Sequence, residues 1–196
     1  MTVNTVNEAM RNLKGLIALA IATVAAVLLI LWLVDAFGVQ SPLFAFLTNW
    51  VAMSWVAFSG QFFQISLPPK YYAPRPFERA GRIYELLGIR LFKDLVRRGP
   101  LAVFSPTLRL PKEKTVPALR ALESEMRKAE TGHVLIFVLI LVLAGYFLLH
   151  GPLDAAAWLL LFNIPINGYP IMLQRYNRIK LQERIDRLAT SLTTRP

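Results

Sequence analysis

The sequence predicts an all-α, polytopic membrane protein with four transmembrane helices and a cytoplasmic interfacial amphipathic helix. Two observations predict it. Four apolar stretches, near residues 16–34, 43–65, 134–149 and 155–173, are each long enough to approach a ~30 Å hydrocarbon layer. The 22 Lys and Arg residues also fall only in segments that can share one membrane face. The amino-terminal arm holds Arg11 and Lys14, the segment 66–132 holds 14, the carboxy-terminal tail holds 6, and neither short connection, 35–42 or 150–154, holds any. That bias places both termini and segment 66–132 in the cytoplasm. The whole chain, 1–196, is read as a single membrane domain.

Composition narrows the chemistry. A 55% hydrophobic chain with a net charge of +10 suits anionic headgroups better than nucleic acid, and no recognition module or zinc-finger spacing is present. The absence of Cys excludes disulfides, thiolate metal ligands and a cysteine nucleophile.

The first stretch, Leu16 to Val34, carries only Thr23 as a polar side chain and is too long for a signal-peptide core. The second carries Thr48, Asn49, Ser54, Ser59, Gln61 and Gln64 among aromatics, so it reads as a helix packed inside a bundle or as a re-entrant segment. Four prolines between Pro68 and Pro76 forbid a regular helix there. From Phe77 to Arg98, apolar residues recur at helical spacing through Ile83, Tyr84, Leu87, Leu91 and Leu95, which predicts one amphipathic helix stopped by Gly99-Pro100. Residues 101–111 read as a Pro-interrupted apolar linker. Pro117 suits a first helical turn, and the helix it opens is expected to run unbroken into the third span. The fourth span continues as a charged helix over 174–188.

Two groups of polar residues stand out. His133 follows Glu130 by three positions, and Glu123 lies seven before Glu130 on nearly the same stripe. A carboxylate beside an imidazole can set its tautomer and raise its basicity, as a general base requires. The Glu-x-x-His spacing also occurs in di-metal bundles, but the cytoplasmic side offers no second histidine for such a site. His150 reads as a turn residue beside Gly151-Pro152. In the fourth span, Asn163, Asn167 and Gln174 form an amide face interrupted by Pro165, Gly168 and Pro170, which loosen backbone hydrogen bonding. Gln174, Arg175, Tyr176, Asn177 and Arg178 then emerge together, a set suited to a sugar or a phosphate.

Three stretches resemble the glycosyl-4,4′-diaponeurosporenoate acyltransferases of staphyloxanthin-type carotenoid biosynthesis. The first runs from Leu67-Pro-Pro-Lys-Tyr-Tyr72 through Phe77-Glu-Arg-Ala-Gly81 to Ile89-Arg-Leu-Phe-Lys93. The second is Glu125 to His133, and the third is Asn167 with Gln174-Arg-Tyr-Asn-Arg178 and Leu181. The likeness extends over about residues 50–188, leaving the first span outside it. It implies acyl transfer to a membrane glycolipid, a glycosylated carotenoid being one such acceptor. The expected donor is a cytoplasmic acyl thioester such as acyl-CoA, a co-substrate with no further cofactor.

On the residues themselves, His133 is the expected base and Glu130 its orienting partner. Asn167, Gln174 and Asn177 are expected to bind the sugar or the developing oxyanion, and Arg175, Arg178 and Lys180 the phosphates of the acyl carrier, with Tyr176 and Glu123 beside them. Two other readings remain at this point. One is a non-catalytic membrane assembly or scaffold protein; the other is a metal-dependent hydrolase using Glu130 and His133.

Overall fold

The computed structural model describes residues 3–63, 65–98 and 115–193. Among the described residues are eight α-helices: α1 (Val3–Phe37), α2 (Pro42–Ser59), α3 (Pro69–Tyr72), α4 (Arg82–Leu86), α5 (Ile89–Arg98), α6 (Val116–His150), α7 (Leu153–Asn163) and α8 (Tyr169–Thr193). A 3-10 turn, Pro76–Gly81, precedes α4, and a π-helical turn, Ile164–Gly168, joins α7 to α8. No strand occurs among the described residues. Among the described residues, four helical segments, beginning at Asn12, Pro42, Val116 and Leu153, are long and apolar enough to cross a membrane. The protein is an all-α polytopic membrane protein. The linker expected at 101–111 lies outside the described residues.

The chain divides into two compact units, each drawing on separated stretches. The first comprises Met1–Ile65 and Gly132–Asn167. Here α2 starts at a Ser41 cap, whose hydroxyl accepts from the Leu43 N–H, with Pro42 pre-set for the first turn. It buries Phe44, Ala45, Thr48, Asn49 and Ala52, a stripe of helical period. Ala45 and Ala52 pack with Ile136, Ile140 and Ala144 of α6 and Ala156 and Leu159 of α7. Small residues dominate because helices surrounded by lipid gain from close backbone approach, not from expelling water. Thr23, the one polar side chain of the first apolar stretch, accepts from Trp55 Nε1 at 2.9 Å and ties α1 to α2. The helix α2 stops at Ser59, short of the expected residue 65, because the Phe62 and Phe63 N–H groups turn back to the Ser59 carbonyl. Its 18 residues rise about 27 Å.

The second unit comprises Ser66–Thr131 and Gly168–Pro196. Its amphipathic segment is not the single helix expected over 77–98. It breaks into the 3-10 turn, α4 and α5, at Gly81 (φ 71°) and Gly88 (φ 78°), left-handed conformations that interrupt a helix and favour glycine. At Gly81 the space is closed as well: a Cβ there would lie 2.8 Å from ring carbons of Tyr176. Tyr84 and Ile89 pack with Leu173, Tyr176 and Ile179 of α8, while Leu119 and Met126 of α6 pack with Leu181 and Ile185. Opposite its packed face, α5 leaves Leu91 and Leu95 exposed. The expected unbroken passage from Pro117 into the third apolar stretch is present as α6.

Candidate active site

In the first unit, the amides of Asn49 (α2), Asn163 (α7) and Asn167 (π turn) form one hydrogen-bonded chain, each at most 1% exposed. Backbone carbonyls fix its ends. Asn49 Nδ2 donates to the Ala45 carbonyl and Asn163 Nδ2 to the Phe137 carbonyl, each at 3.0 Å. Carbonyls only accept, so both side-chain oxygens must point inward. Asn167 Nδ2 gives one hydrogen to each of them, to Asn49 Oδ1 at 3.0 Å and to Asn163 Oδ1 at 2.9 Å. Asn167 Oδ1 is therefore also fixed, and it meets His133 Nδ1 at 3.3 Å. An amide oxygen cannot donate, so Nδ1 carries the hydrogen. A neutral imidazole held this way keeps its lone pair on Nε2.

The π turn is what brings Asn167 into this chain. Pro165 has no N–H to give the helix, and the widened turn accommodates it. The prolines read in sequence as loosening the span thus produce a local change of helix type.

In the second unit, the buried polar groups carry full charges. Arg175 grips Glu78 with two parallel bonds, Nε to Oε1 at 2.9 Å and Nη2 to Oε2 at 3.0 Å. Its Nη1 reaches Glu130 Oε1 at 3.3 Å and the Tyr71 carbonyl at 3.1 Å. Arg178, one turn further along α8, donates from Nε to Glu130 Oε2 at 2.9 Å and from Nη1 to the Tyr72 carbonyl at 3.1 Å. The order Glu78–Arg175–Glu130–Arg178 alternates in sign and sums to zero. Tyr71 and Tyr72 lie against the two guanidiniums, with ring centroids 5.0 and 5.2 Å away. Burial opposes the charged form of Glu78, but the bonds from Arg175, Tyr84 and the Arg75 N–H outweigh it, and its pKa falls below the ordinary value. Burial, followed by the bond to Glu78, pushes Tyr84 up to about 12.

These placements redistribute the roles expected from sequence. The partner of His133 Nδ1 is Asn167, whereas both oxygens of Glu130 are taken by guanidiniums. Arg175 and Arg178 are buried and neutralised by carboxylates, which leaves them no net charge for a carrier's phosphates. Lys180 is exposed, 3.7 Å from Glu183. Glu123 accepts from Arg127 and Gln182, and the Tyr176 hydroxyl donates to Glu85. Asn177 Oδ1 accepts from Lys93 Nζ at 2.9 Å. Gln174 and Asn177 each keep one buried polar atom, Oε1 and Nδ2, without a hydrogen-bond partner among the described residues. Among the described residues no three His, Asp or Glu side chains group as a metal site.

A family model for CrtO, glycosyl-4,4′-diaponeurosporenoate acyltransferase, matches residues 68–187, more than half of the chain. The chain belongs to this family. Membership makes it an acyltransferase of the carotenoid-biosynthesis class, as the resemblance in the sequence implied. No curated protein and no solved structure matches it. The CrtO match contains the whole ionic chain together with His133, Asn163 and Asn167. It begins after α2, so Asn49 comes from outside the matched segment, and the likeness is shorter at its amino-terminal end than the expected 50–188.

Sequence reasoning missed Glu78, Asn49 and Lys93 as members of these arrangements. Glu78 fell between the apolar positions of the amphipathic helix expected over 77–98, and Asn49 among several polar residues of the second stretch. For Asn49 the available signal was an amide in an otherwise apolar packing stripe; Glu78 and Lys93 carried no such signal.

Proposed function

We propose that the protein transfers a fatty acyl group from a cytoplasmic acyl thioester, such as acyl-CoA, to a hydroxyl of a membrane glycolipid, a glycosylated carotenoid being one such acceptor. His133 is the general base. Its Nε2 takes the acceptor's proton as that oxygen attacks the thioester carbonyl. The tetrahedral oxyanion then collapses, the carbon–sulfur bond breaks, and the departing thiolate recovers the proton from the imidazolium. No covalent enzyme intermediate forms. The positioning role first given to Glu130 passes to Asn167, which holds the hydrogen on Nδ1. The membrane is taken to be a bacterial inner (cytoplasmic) membrane, and the distribution of Lys and Arg supports both termini being cytoplasmic.

One observation carries this reading: a chain of three amides, anchored on backbone carbonyls, leaves His133 with a single tautomer suited to accept a proton at Nε2. The test is His133→Ala in membranes, with acylated glycolipid followed by mass spectrometry. A positioned base contributes about 10²–10⁴-fold, so turnover is expected to fall by that factor with the protein still inserted. Undiminished turnover by inserted His133→Ala protein would remove His133 from the reaction.

A further inference from the structure

Lys93 differs from several neighbouring cations of the second unit, which have carboxylate partners. Arg175 and Arg178 have Glu78 and Glu130, Arg127 has Glu123, and Arg90 has Glu85. Lys93 has no carboxylate within ion-pair distance among the described residues. Its ammonium donates one hydrogen to Asn177 Oδ1 at 2.9 Å and lies 5.6 Å from the centre of the Tyr176 ring. Two of its three donors remain. Asn177 is 8% exposed, and with its oxygen held by Lys93, its Nδ2 hydrogens are buried without a partner. Gln174, 7% exposed and three residues earlier on the same face of α8, has an unpartnered Oε1.

Unpaired buried groups are costly in a folded chain, and the two donors among them, the Lys93 ammonium and Asn177 Nδ2, have the pattern of an anion site. Arg97, one turn on from Lys93 along α5, adds positive charge, Asp94 adjoins it, and the negative charge of Glu85 is met by Arg90 at 2.7 Å. The local balance therefore favours an anion.

We infer that Lys93 and Asn177 form a binding site for a phosphate group, with Gln174 accepting from a hydroxyl beside it. The phosphate accepts from the Lys93 ammonium and from Asn177 Nδ2. The inference rests on the acyl-transfer reading only for the ligand's origin. An acyl carrier brings phosphates from solution, and the surrounding lipid brings them in its headgroups. This site replaces the phosphate role first assigned to Arg175, Arg178 and Lys180.

The experiment uses the full chain in nanodiscs and needs no turnover, so it stands apart from the fate of His133. In one arm, discs of phosphatidylcholine are titrated with inorganic pyrophosphate by calorimetry. In the other, phosphatidylglycerol is added to the discs and the thermal midpoint is followed. Lys93→Gln, Lys93→Arg and Asn177→Leu are compared with the parent chain. Pyrophosphate binding weakened about tenfold or more in Lys93→Gln and Asn177→Leu, and largely kept in Lys93→Arg, supports a soluble phosphate ligand. Stabilisation by phosphatidylglycerol that is lost in the same two variants, without pyrophosphate binding, supports a lipid phosphate. Equal responses of the parent and both variants in both arms overturn the site. Asn177→Leu keeps the lysine, so it decides the matter if Lys93→Gln does not fold.

Discussion

Asn167 in the first unit and Arg175 in the second occupy comparable places in two different polar chains. Each is buried, and each joins partners far away in sequence: Asn167 bonds to Asn49 across 118 residues, and Arg175 to Glu78 across 97. One chain is made of neutral amides and the other of full charges. The difference follows from surroundings. Helices made of lipid-compatible residues supply few counter-charges, and an isolated ion there is expensive, so neutral groups that both donate and accept are the economical link. Where a stretch such as 66–98 supplies both signs, ions can alternate and cancel. An amide chain transmits direction, because each member fixes which end of the next one donates. An ion chain transmits no direction, but it fails badly if one member is removed. The first property suits the setting of a tautomer, and the second suits the locking of α6, α8 and the 3-10 turn into one unit.

The largest expected effect tests that contrast. Glu130→Ala removes the carboxylate shared by Arg175 and Arg178; Arg175 keeps Glu78, but the buried Arg178 guanidinium is left uncompensated. Breaking a buried pair in this way costs about 3–5 kcal/mol. The thermal midpoint of the full chain in detergent is expected to fall accordingly, well beyond the effect of any single asparagine substitution in the amide chain. A loss no larger than that of an amide variant would mean that the ionic chain is solvated and that the two regions do not differ in kind.

Acid provides a smaller, graded form of the same comparison. The pKa of Glu78 is lower in the folded state than in the unfolded chain. Its stabilisation is therefore fully present above the unfolded value, ~4.3, and is lost as pH falls through the folded value. Amides do not titrate in that window. Hydrogen exchange followed from about pH 5 downwards should show α8 losing protection over residues 175–185 while α2 keeps its own over 44–52. Simultaneous opening of both segments at one pH midpoint would remove the distinction.

How much of this was legible beforehand depended on the range of the signal. The four apolar runs, the isolation of Thr23 and the unbroken helix through Pro117 are local properties of the sequence, and each appears in the structure. The break of residues 77–98 into three pieces was hidden because the apolar spacing continues across Gly81 and Gly88. The left-handed turn at Gly81 and the packing of Tyr176 against it, which together call for glycine there, are visible only in the structure. The pairing of Glu130 with His133 looked sound on helical spacing alone. It was displaced by arginines 45 and 48 residues away, which no periodicity could nominate. The neighbourhood of His133 was half visible, since Asn163 and Asn167 are four apart and do bond to each other. Asn49, which completes the set, looked like any other polar residue of a bundle helix.

Asn49 therefore gives the finest test of the comparison. Asn49→Leu keeps most of the volume and removes both the donor to Ala45 and the acceptor for Asn167. Hydrogen bonds of this kind in membrane helices average ~0.6 kcal/mol and reach ~1.7, so the loss of stability should be about 1 kcal/mol. The effect on turnover should be clearer than the effect on folding. Asn167 Nδ2 keeps its bond to Asn163 but loses the second acceptor that forbids the amide to turn over. A turned amide presents N–H to His133, favours the tautomer with its hydrogen on Nε2, and withdraws the lone pair the reaction needs. The plateau of the pH–rate profile should then drop while the KM for the acyl donor stays near its original value. Ala52→Leu, in the same helix stripe, perturbs packing without touching an amide and serves as the comparison. If both variants lower turnover in proportion to their loss of stability, the amides are glue between helices and do not set the tautomer. If only Asn49→Leu lowers the plateau, a residue outside the family-matched segment is positioning the base.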